Sequence, residues 1–431
     1  MKVAIYTLGC KVNQYETQAI EAELKRRGHS LADFDDAADA YIINTCTVTA
    51  VSDHKSRQAI RRCRKHNPEA VVGVCGCYAQ TDPQAVSALG VDLICGTDGR
   101  LDFLDKLEQL HDAREPEPLV TVGNIMRCRD FEELPAGGLE GRTRAMLKVE
   151  DGCVNFCTYC IIPFARGPVR SLPLDHAVAE AKHLAQEGYK ELVVTGIEIS
   201  SWGRDLPGRP ELIELLEAVC TAVPDCRIRL GSLEPRTITE DFCRRAAALP
   251  NLCGHFHLSM QSGCDATLKR MNRKYDTARF LESVTLLRRY FDAPGVTTDL
   301  IVGFPGETEE EFAATLAFLG DCAFTSMHIF PYSVRPGTPA ASMPAQVPKA
   351  VKEERAHRAA AVAEAMRDAY LTSLEGKVLP VLFEEQKDGL WRGHAPNYVE
   401  VRMADGADLH NQVVEVAIIG ADGDRLTARR A

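Results

Sequence analysis

The sequence predicts an α/β protein in three consecutive blocks: an N-terminal parallel α/β domain, a central partial (β/α)6 barrel and a small antiparallel β-barrel at the C-terminus. Short apolar runs alternate with helical patterns over residues 1–115. The same alternation recurs six times between 139 and 369, and from 370 to 431 five strand-like runs follow one another without helices. Strands that alternate with helices build parallel sheets, whereas strands in direct succession build antiparallel ones. At 431 residues the chain has room for two to three domains, which excludes a single small fold.

In the first block Val3 to Leu8 runs into Gly9-Cys10, Tyr41 to Ile43 into Asn44-Thr45-Cys46, and Ala70 to Val74 into Cys75-Gly76-Cys77. Helical patterns lie around Tyr15 to Arg27 and Asp53 to His66. Ligands of such sheets bind outside the carboxyl ends of the strands, so cysteines far apart in the chain can meet in one pocket. Three thiolates there can hold an iron–sulfur cluster with one iron left open. They also read as small buried residues. From His111 to Thr143 the periodicity lapses and Pro116, Pro118, Pro135, Gly137, Gly138 and Gly141 gather, which predicts a linker over 116–138.

The central strands are expected at Ala145 to Glu150, Glu191 to Thr195, Arg227 to Leu233, His255 to Met260, Val296 to Val302 and Met327 to Pro331. In βα barrels the working residues sit at the carboxyl ends of the strands. Directly after the first strand comes C-x-x-x-C-x-x-C: Cys153, Cys157 and Cys160. Three thiolates in one short loop reach a single iron–sulfur cube and leave its fourth iron free for a small molecule. Zinc would call for four ligands from paired elements, and no second pair lies nearby. A disulfide is disfavoured in a reducing compartment. Other strand ends are polar or glycine-rich: Gly196-Ile197-Glu198, Ser259 to Gly263, and Asp299 to Thr308.

The charged stretch from Val351 to Leu374 reads as a helix stopped at Gly376. Small barrels like the one expected after it commonly bind oligonucleotides. Trp391, His394 and Tyr398 are candidates for stacking on bases, although Trp391 fits a core position better, as single aromatics in short barrels do.

The net charge of −11 argues against nonspecific polyanion binding but leaves local basic patches open. These are Lys55, Arg57, Arg61, Arg62, Arg64 and Lys65; Arg166 and Arg170; and Arg270, Arg273 and Lys274, each of which also reads as a solvated face. No signal peptide or membrane span is legible, so a soluble, cytoplasmic protein is expected. The sixteen cysteines then point to thiolate chemistry rather than disulfides. Cys63, Cys95, Cys128, Cys220, Cys226, Cys243, Cys253, Cys264 and Cys322 read as ordinary small residues, and Cys75 is ambiguous.

The cysteine loop, with Tyr159 before its last cysteine, resembles that of the radical S-adenosylmethionine enzymes, and KVEDGCVNFCTYCIIPFARG resembles the methylthiotransferases among them. LGCKVNQYE, INTCTV and GCYAQ are similar to the signature segments of the methylthiotransferase N-terminal domain. The resemblance implies an auxiliary 4Fe–4S cluster on Cys10, Cys46 and Cys77. It implies a second 4Fe–4S cluster on Cys153, Cys157 and Cys160, where S-adenosylmethionine is cleaved to a 5′-deoxyadenosyl radical.

By the same likeness Tyr159, Gly196 and Glu198 contact S-adenosylmethionine, Gln261 and Asp299 lie near its ribose or the substrate, and Gly393 to Val399 belongs to a TRAM-like RNA-binding barrel. Arg166 can meet a carboxylate or phosphate two-pronged, or a surface salt bridge. LGCKVNQYE and GIEIS look closest to enzymes that methylthiolate carbon 2 of N6-threonylcarbamoyladenosine 37 in tRNA. The implied partners are a tRNA anticodon stem-loop, an electron donor such as flavodoxin or ferredoxin, and a sulfur source that the sequence does not name. The alternatives are methylthiolation of isopentenyladenosine in tRNA or of an aspartate in a small-subunit ribosomal protein and, from another class, a non-catalytic iron–sulfur RNA-binding redox protein.

Overall fold

The computed structural model describes residues 1–134 and 142–431; Pro135, Gly137, Gly138 and Gly141 of the expected linker lie outside the described residues. The N-terminal strands β1 (Lys2–Thr7), β2 (Ser30–Ala32), β3 (Ala40–Thr45), β4 (Val71–Gly76), β5 (Leu93–Ile94) and β6 (Leu119–Val120) form one sheet in the order β2-β1-β3-β4-β5-β6, and every pairing is parallel. β3 and β4 are buried along their whole length, which is why their sequences are nearly continuous apolar runs. Helix Ala50–His66 contributes Ala59 and Ile60 to the apolar layer on one face. Helices Lys11–Arg26 and Arg100–Asp112 contribute Ile20, Leu24, Phe103 and Leu107 to the other.

In this sheet three strands are not legible in the sequence: β2, β5 and β6. Each is two or three residues long, too short for a period to show. β6 lies inside the stretch expected to be a linker, so that stretch begins by adding an edge to the sheet.

The order of connection reverses between β1 and β3, and a sheet of this kind opens a crevice at its carboxyl edge at such a point. Cys10 follows β1, Cys46 follows β3 and Cys77 follows β4. Gly76 turns the chain at this edge with φ +95°, where an added Cβ would stand 2.5 Å from the Thr45 carbonyl oxygen and 2.6 Å from Asn44 Oδ1. Gly76→Ala is therefore expected to cost about 1–3 kcal/mol of stability. Denaturant unfolding of the iron-free protein measures this, and an unchanged midpoint would refute it.

In the central region β7 (Arg144–Lys148) is followed by a small antiparallel pair, β8 (Glu150–Asp151) with β9 (Arg170–Ser171), that brackets the cysteine loop. Then come β10 (Glu191–Thr195), β11 (Arg227–Leu230), β12 (Ser232–Leu233), β13 (His255–Gln261), β14 (Gly295–Val302) and β15 (Ser326–Pro331). They pair as β11-β10-β7 and β12-β13-β14-β15. The expected third strand is thus one run broken at Gly231, whose Cβ would meet the Val194 carbonyl at 3.0 Å. Six strand positions form an arc, and among the described residues β7 and β15 do not pair, so the barrel is partial.

After helix Lys349–Ser373, strands β16 (Val378–Lys387), β17 (Leu390–His394), β18 (Glu400–Met403), β19 (Gln412–Asp422) and β20 (Arg425–Arg430) close a five-stranded barrel. All its pairings are antiparallel except β18 with β20. Trp391 packs in its core with Val381, Phe383 and Val416, which overturns a base-stacking role for it. Tyr398 is exposed, with its ring 4.9 Å from both His394 and His255 and the Arg229 guanidinium 4.6 Å away.

Arg227 and Arg229 pair with Glu191 and donate to the carbonyls of His394 and Pro396, respectively. These residues sit at or near the amino-terminal ends of their strands, so the small barrel docks on the rim opposite the cysteine loop. Among the described residues no helix is long and apolar enough to cross a membrane.

Candidate functional site

The loop after β8 is shaped by its backbone. Gly152 has φ +91°, and a Cβ there would stand 2.0 Å from the Pro168 carbonyl oxygen. The Cys153 N–H donates to the Gly167 carbonyl, the Cys160 N–H to that of Cys157 and the Thr158 N–H to that of Met271. Cys157 is buried while Cys153 and Cys160 are half-buried. Burial, followed by the Cys157 charge, pushes the Cys160 thiol up to about 12, and burial drives Cys153 higher still. As free thiols these side chains are protonated and poor nucleophiles; a bound metal would deprotonate them. Arg273, half-buried and also donating to the Tyr275 hydroxyl and the Ser259 carbonyl, donates to Cys157 Sγ at 3.3 Å.

Tyr159 packs against Phe304, its ring 6.4 Å away, in a cluster with Met271 and Tyr332. The Glu198 N–H donates to Glu150 Oε2 at 2.7 Å, and a Cβ on Gly196 would stand 2.7 Å from that same oxygen. Only glycine lets β10's end approach Glu150 so closely. Among the described residues, Glu150 Oε1 and Glu198 Oε1 are buried without hydrogen-bond partners, and the Glu198 charge is felt at Cys153. Burial raises both carboxyls, Glu150 far above the usual range.

Two buried carboxyls with free oxygens fit the amino group of an amino-acid-like cofactor. Glu150 was missed by the sequence reading, which treated it only as the end of a strand. Asp299 pairs with His257 at 3.3 Å and His257 with Thr297 at 3.0 Å; His257 was also missed. Gln261 ends β13 in the left-handed region, φ +66°, where the register with β14 shifts.

At the N-terminal sheet edge the second cysteine set comes together. An added Cβ on Gly9 would lie 3.1 Å from Cys46 Cβ, the Cys10 thiol donates to Asn13 Oδ1 at 3.6 Å, and Cys77 feels the charges of Arg166, Cys46 and Cys10. Burial pushes Cys77 up to about 12. Cys75 instead lies fully buried in the apolar layer with Phe103 and Leu107, apart from the set. Among the described residues no three His, Cys, Asp or Glu side chains converge closely enough to share one ion. A cube needs no such convergence, since each thiolate takes its own iron.

Arg166, whose side chain is 0 % exposed, links Cys77 to the segment that leads into the central cysteine loop. It bonds Cys77 Sγ, Asn13 and Glu16 on the N-terminal side and Asp151 beside the cysteine loop. The carboxylate partner expected for this arginine is present, but buried, so the surface salt bridge is excluded.

Residues 147–319 match the Radical SAM superfamily, and residues 2–96 match a family described as "Uncharacterized protein family UPF0004". Threonylcarbamoyladenosine tRNA methylthiotransferase MtaB of Bacillus subtilis is 42% identical over 97% of this chain and 94% of its own length. The chain belongs to the radical S-adenosylmethionine methylthiotransferases. The tRNA-2-methylthio-N(6)-dimethylallyladenosine synthase of Pelotomaculum thermopropionicum is 33% identical over 99% of this chain and 97% of its own. Among solved structures, the radical S-adenosylmethionine methyltransferase TsrM of Kitasatospora setae shares the fold, with a TM-score of 0.59 at 16% identity over 79% of this chain and 77% of that one.

In this methylthiotransferase, exposed apolar side chains are found on the loops that carry the cysteines and at the end of β15. Val48 and Val51 follow Cys46, Phe156 within the central loop and Phe164 just after it have their rings 5.9 Å apart, and Phe330 and Val334 lie at the end of β15. Arg335 joins that end to Asp53 at 2.7 Å. Of the basic residues on helix Ala50–His66, Arg62 and Arg64 pair with Asp35 and Asp92, and Arg57 donates to the Tyr78 hydroxyl. Lys55, Arg61 and Lys65 are exposed and, among the described residues, lack a carboxylate partner.

Proposed function

We propose that the enzyme adds a methylthio group to carbon 2 of N6-threonylcarbamoyladenosine 37 in tRNA. The observation that supports the reaction class is the buried Arg166, which bonds Cys77 of one three-cysteine set and Asp151, two residues before Cys153 of the other. The substrate follows the name of the Bacillus subtilis relative. Carbon 2 of adenine carries a hydrogen too weakly acidic for a side-chain base, so the difficult step falls to cofactors. When bound, two 4Fe–4S clusters and S-adenosylmethionine supply the one-electron chemistry, the sulfur and the methyl group.

In this reading Cys10, Cys46 and Cys77 hold one cluster, and Cys153, Cys157 and Cys160 hold the other. Glu150 and Glu198 receive the amino group of S-adenosylmethionine, Gly196 gives it room, and Tyr159 walls the site. Gln261 and Asp299 contact its ribose or the base. Phe156, Phe164 and Phe330 offer faces for unstacked bases of an anticodon stem-loop, as single-stranded RNA recognition requires. Lys55, Arg61 and Lys65 meet its phosphates. Electrons come from a small donor protein such as flavodoxin or ferredoxin.

A second reading, a dimethylallyladenosine substrate, is favoured by the relatives near 33% identity. Nucleoside mass spectrometry of tRNA from cells with and without the gene separates the two. Loss of the 2-methylthio threonylcarbamoyl species alone is the expected result. Loss of the dimethylallyl species instead would transfer the assignment to the second reading.

A further inference from the structure

We infer that Arg166 is a positioning residue that ties Cys77 to the loop carrying the other cysteine set and tunes the reduction potential of the cluster Cys77 holds; this rests on the ligand sets proposed above. Arg166 belongs to the short helix Ile162–Arg166, six residues beyond Cys160, yet most of its partners lie in the N-terminal domain. Nε donates to Cys77 Sγ at 3.3 Å, Nη1 to Glu16 Oε1 at 2.5 Å and Asp151 Oδ2 at 3.2 Å, and Nη2 to Asn13 Oδ1 at 2.9 Å and Glu16 Oε2 at 3.2 Å.

Besides Cys77 itself, two of these partners lead to further cysteines. Asn13 accepts from the Cys10 thiol and donates to the carbonyl of Thr45, the neighbour of Cys46. Asp151 Oδ1 accepts the N–H of Gly152, the neighbour of Cys153. A planar guanidinium with five donors can serve all of these at once, whereas an ammonium cannot. Arg273 touches Cys157 Sγ at the same 3.3 Å, but its other partners, Tyr275 and the Ser259 carbonyl, lie in the central domain. Of the two arginines on a site sulfur, Arg166 is the one that spans the joint.

A hydrogen bond and a positive charge at a ligand sulfur favour the reduced form of a cluster, because they withdraw electron density from the sulfur. Arg100 provides the contrast. It is equally buried and pairs with the same Glu16 at 2.9 Å, but makes no hydrogen bond to any of the six cysteines.

The test uses a Cys153→Ala, Cys157→Ala, Cys160→Ala parent, reconstituted anaerobically so that only the N-terminal site takes up iron, with the midpoint potential read by EPR-monitored titration. Arg166→Gln is expected to keep its iron and shift to a more negative potential, and Arg166→Lys to recover part of that shift. Arg100→Gln is expected to lose thermal stability as Arg166→Gln does while holding the parent potential. Should the glutamine variant fail to fold, the lysine variant still has to show a negative shift from the parent. An unshifted Arg166→Lys together with an unshifted or unfolded Arg166→Gln overturns the inference, as does an equal shift in Arg100→Gln. A parent that binds no iron overturns the ligand assignment itself, and the inference with it.

Discussion

Cys153→Ala is expected to halve the iron bound after anaerobic reconstitution, from about eight to about four per chain, and to end S-adenosylmethionine cleavage altogether. Cys10→Ala is expected to remove the same amount of iron and leave cleavage intact. Neither variant should form a methylthiolated nucleoside. The asymmetry follows from where the two sets stand. Cys153 lies under the influence of Glu198, beside the free carboxyl oxygens proposed to receive the cofactor, whereas Cys10 sits at the crevice of the N-terminal sheet. Each set has three thiolates and none to spare, so losing one leaves two ligands for a cube. Iron analysis, 5′-deoxyadenosine release and nucleoside mass spectrometry on the two variants form one experiment. Full methylthiolation by Cys10→Ala, or wild-type protein that saturates at about four irons, would defeat the two-cluster assignment.

Glu16→Ala is expected to be the most destabilising single change outside the cysteines. Glu16 is fully buried and faces Arg166 at 2.5 Å, Arg100 at 2.9 Å and Lys148 at 3.4 Å; Lys148 also pairs with Asp151 at 2.7 Å. Removing the carboxylate leaves three buried cations with too little opposing charge, and breaking a buried pair from one side typically costs about 3–5 kcal/mol.

The pairs Glu16–Arg166 and Glu16–Lys148 join the N-terminal domain to the central one, so the loss should also open that joint to protease. Glu353→Ala, at an exposed pair with Lys349, should change little. Acid should mimic the substitution. Burial alone would raise the Glu16 carboxyl, but Arg100, Arg166 and Lys148 outweigh it and hold it below the usual carboxylate range. Its contribution is therefore complete above the unfolded value of about 4.3 and lost as the pH falls below that. The stability gap between wild type and Glu16→Ala should narrow in that direction, and a gap that stays constant through acid would count against the account.

Much of the site was legible before any coordinates. The spacing of Cys153, Cys157 and Cys160 needs only one loop, so local sequence carries it. The strand-end pattern picked Cys10, Cys46 and Cys77 as candidates, and the likeness of GCYAQ selected Cys77 over Cys75; the structure puts Cys75 in the apolar layer. Strands of two or three residues, such as β2, β5 and β6, carry no period and are not legible. Tyr398 reads as a base-stacking aromatic because its chemistry suits RNA; its ring neighbours His255 and Arg229 lie more than a hundred residues away in the chain, so only the fold shows them.

What the sequence determined by itself was the order of three blocks, the strand-helix alternation and the positions of the six cysteines proposed as ligands, since periodicity and short spacings are local properties. Only the tertiary structure decided that Glu16, Lys148, Asp151 and Arg166 share one buried site, that Glu150 and Glu198 keep free oxygens, and that the small barrel docks on the far rim. A buried charge is tolerable only where folding brings opposite charges from distant segments within reach, and no pattern along a single segment records that meeting.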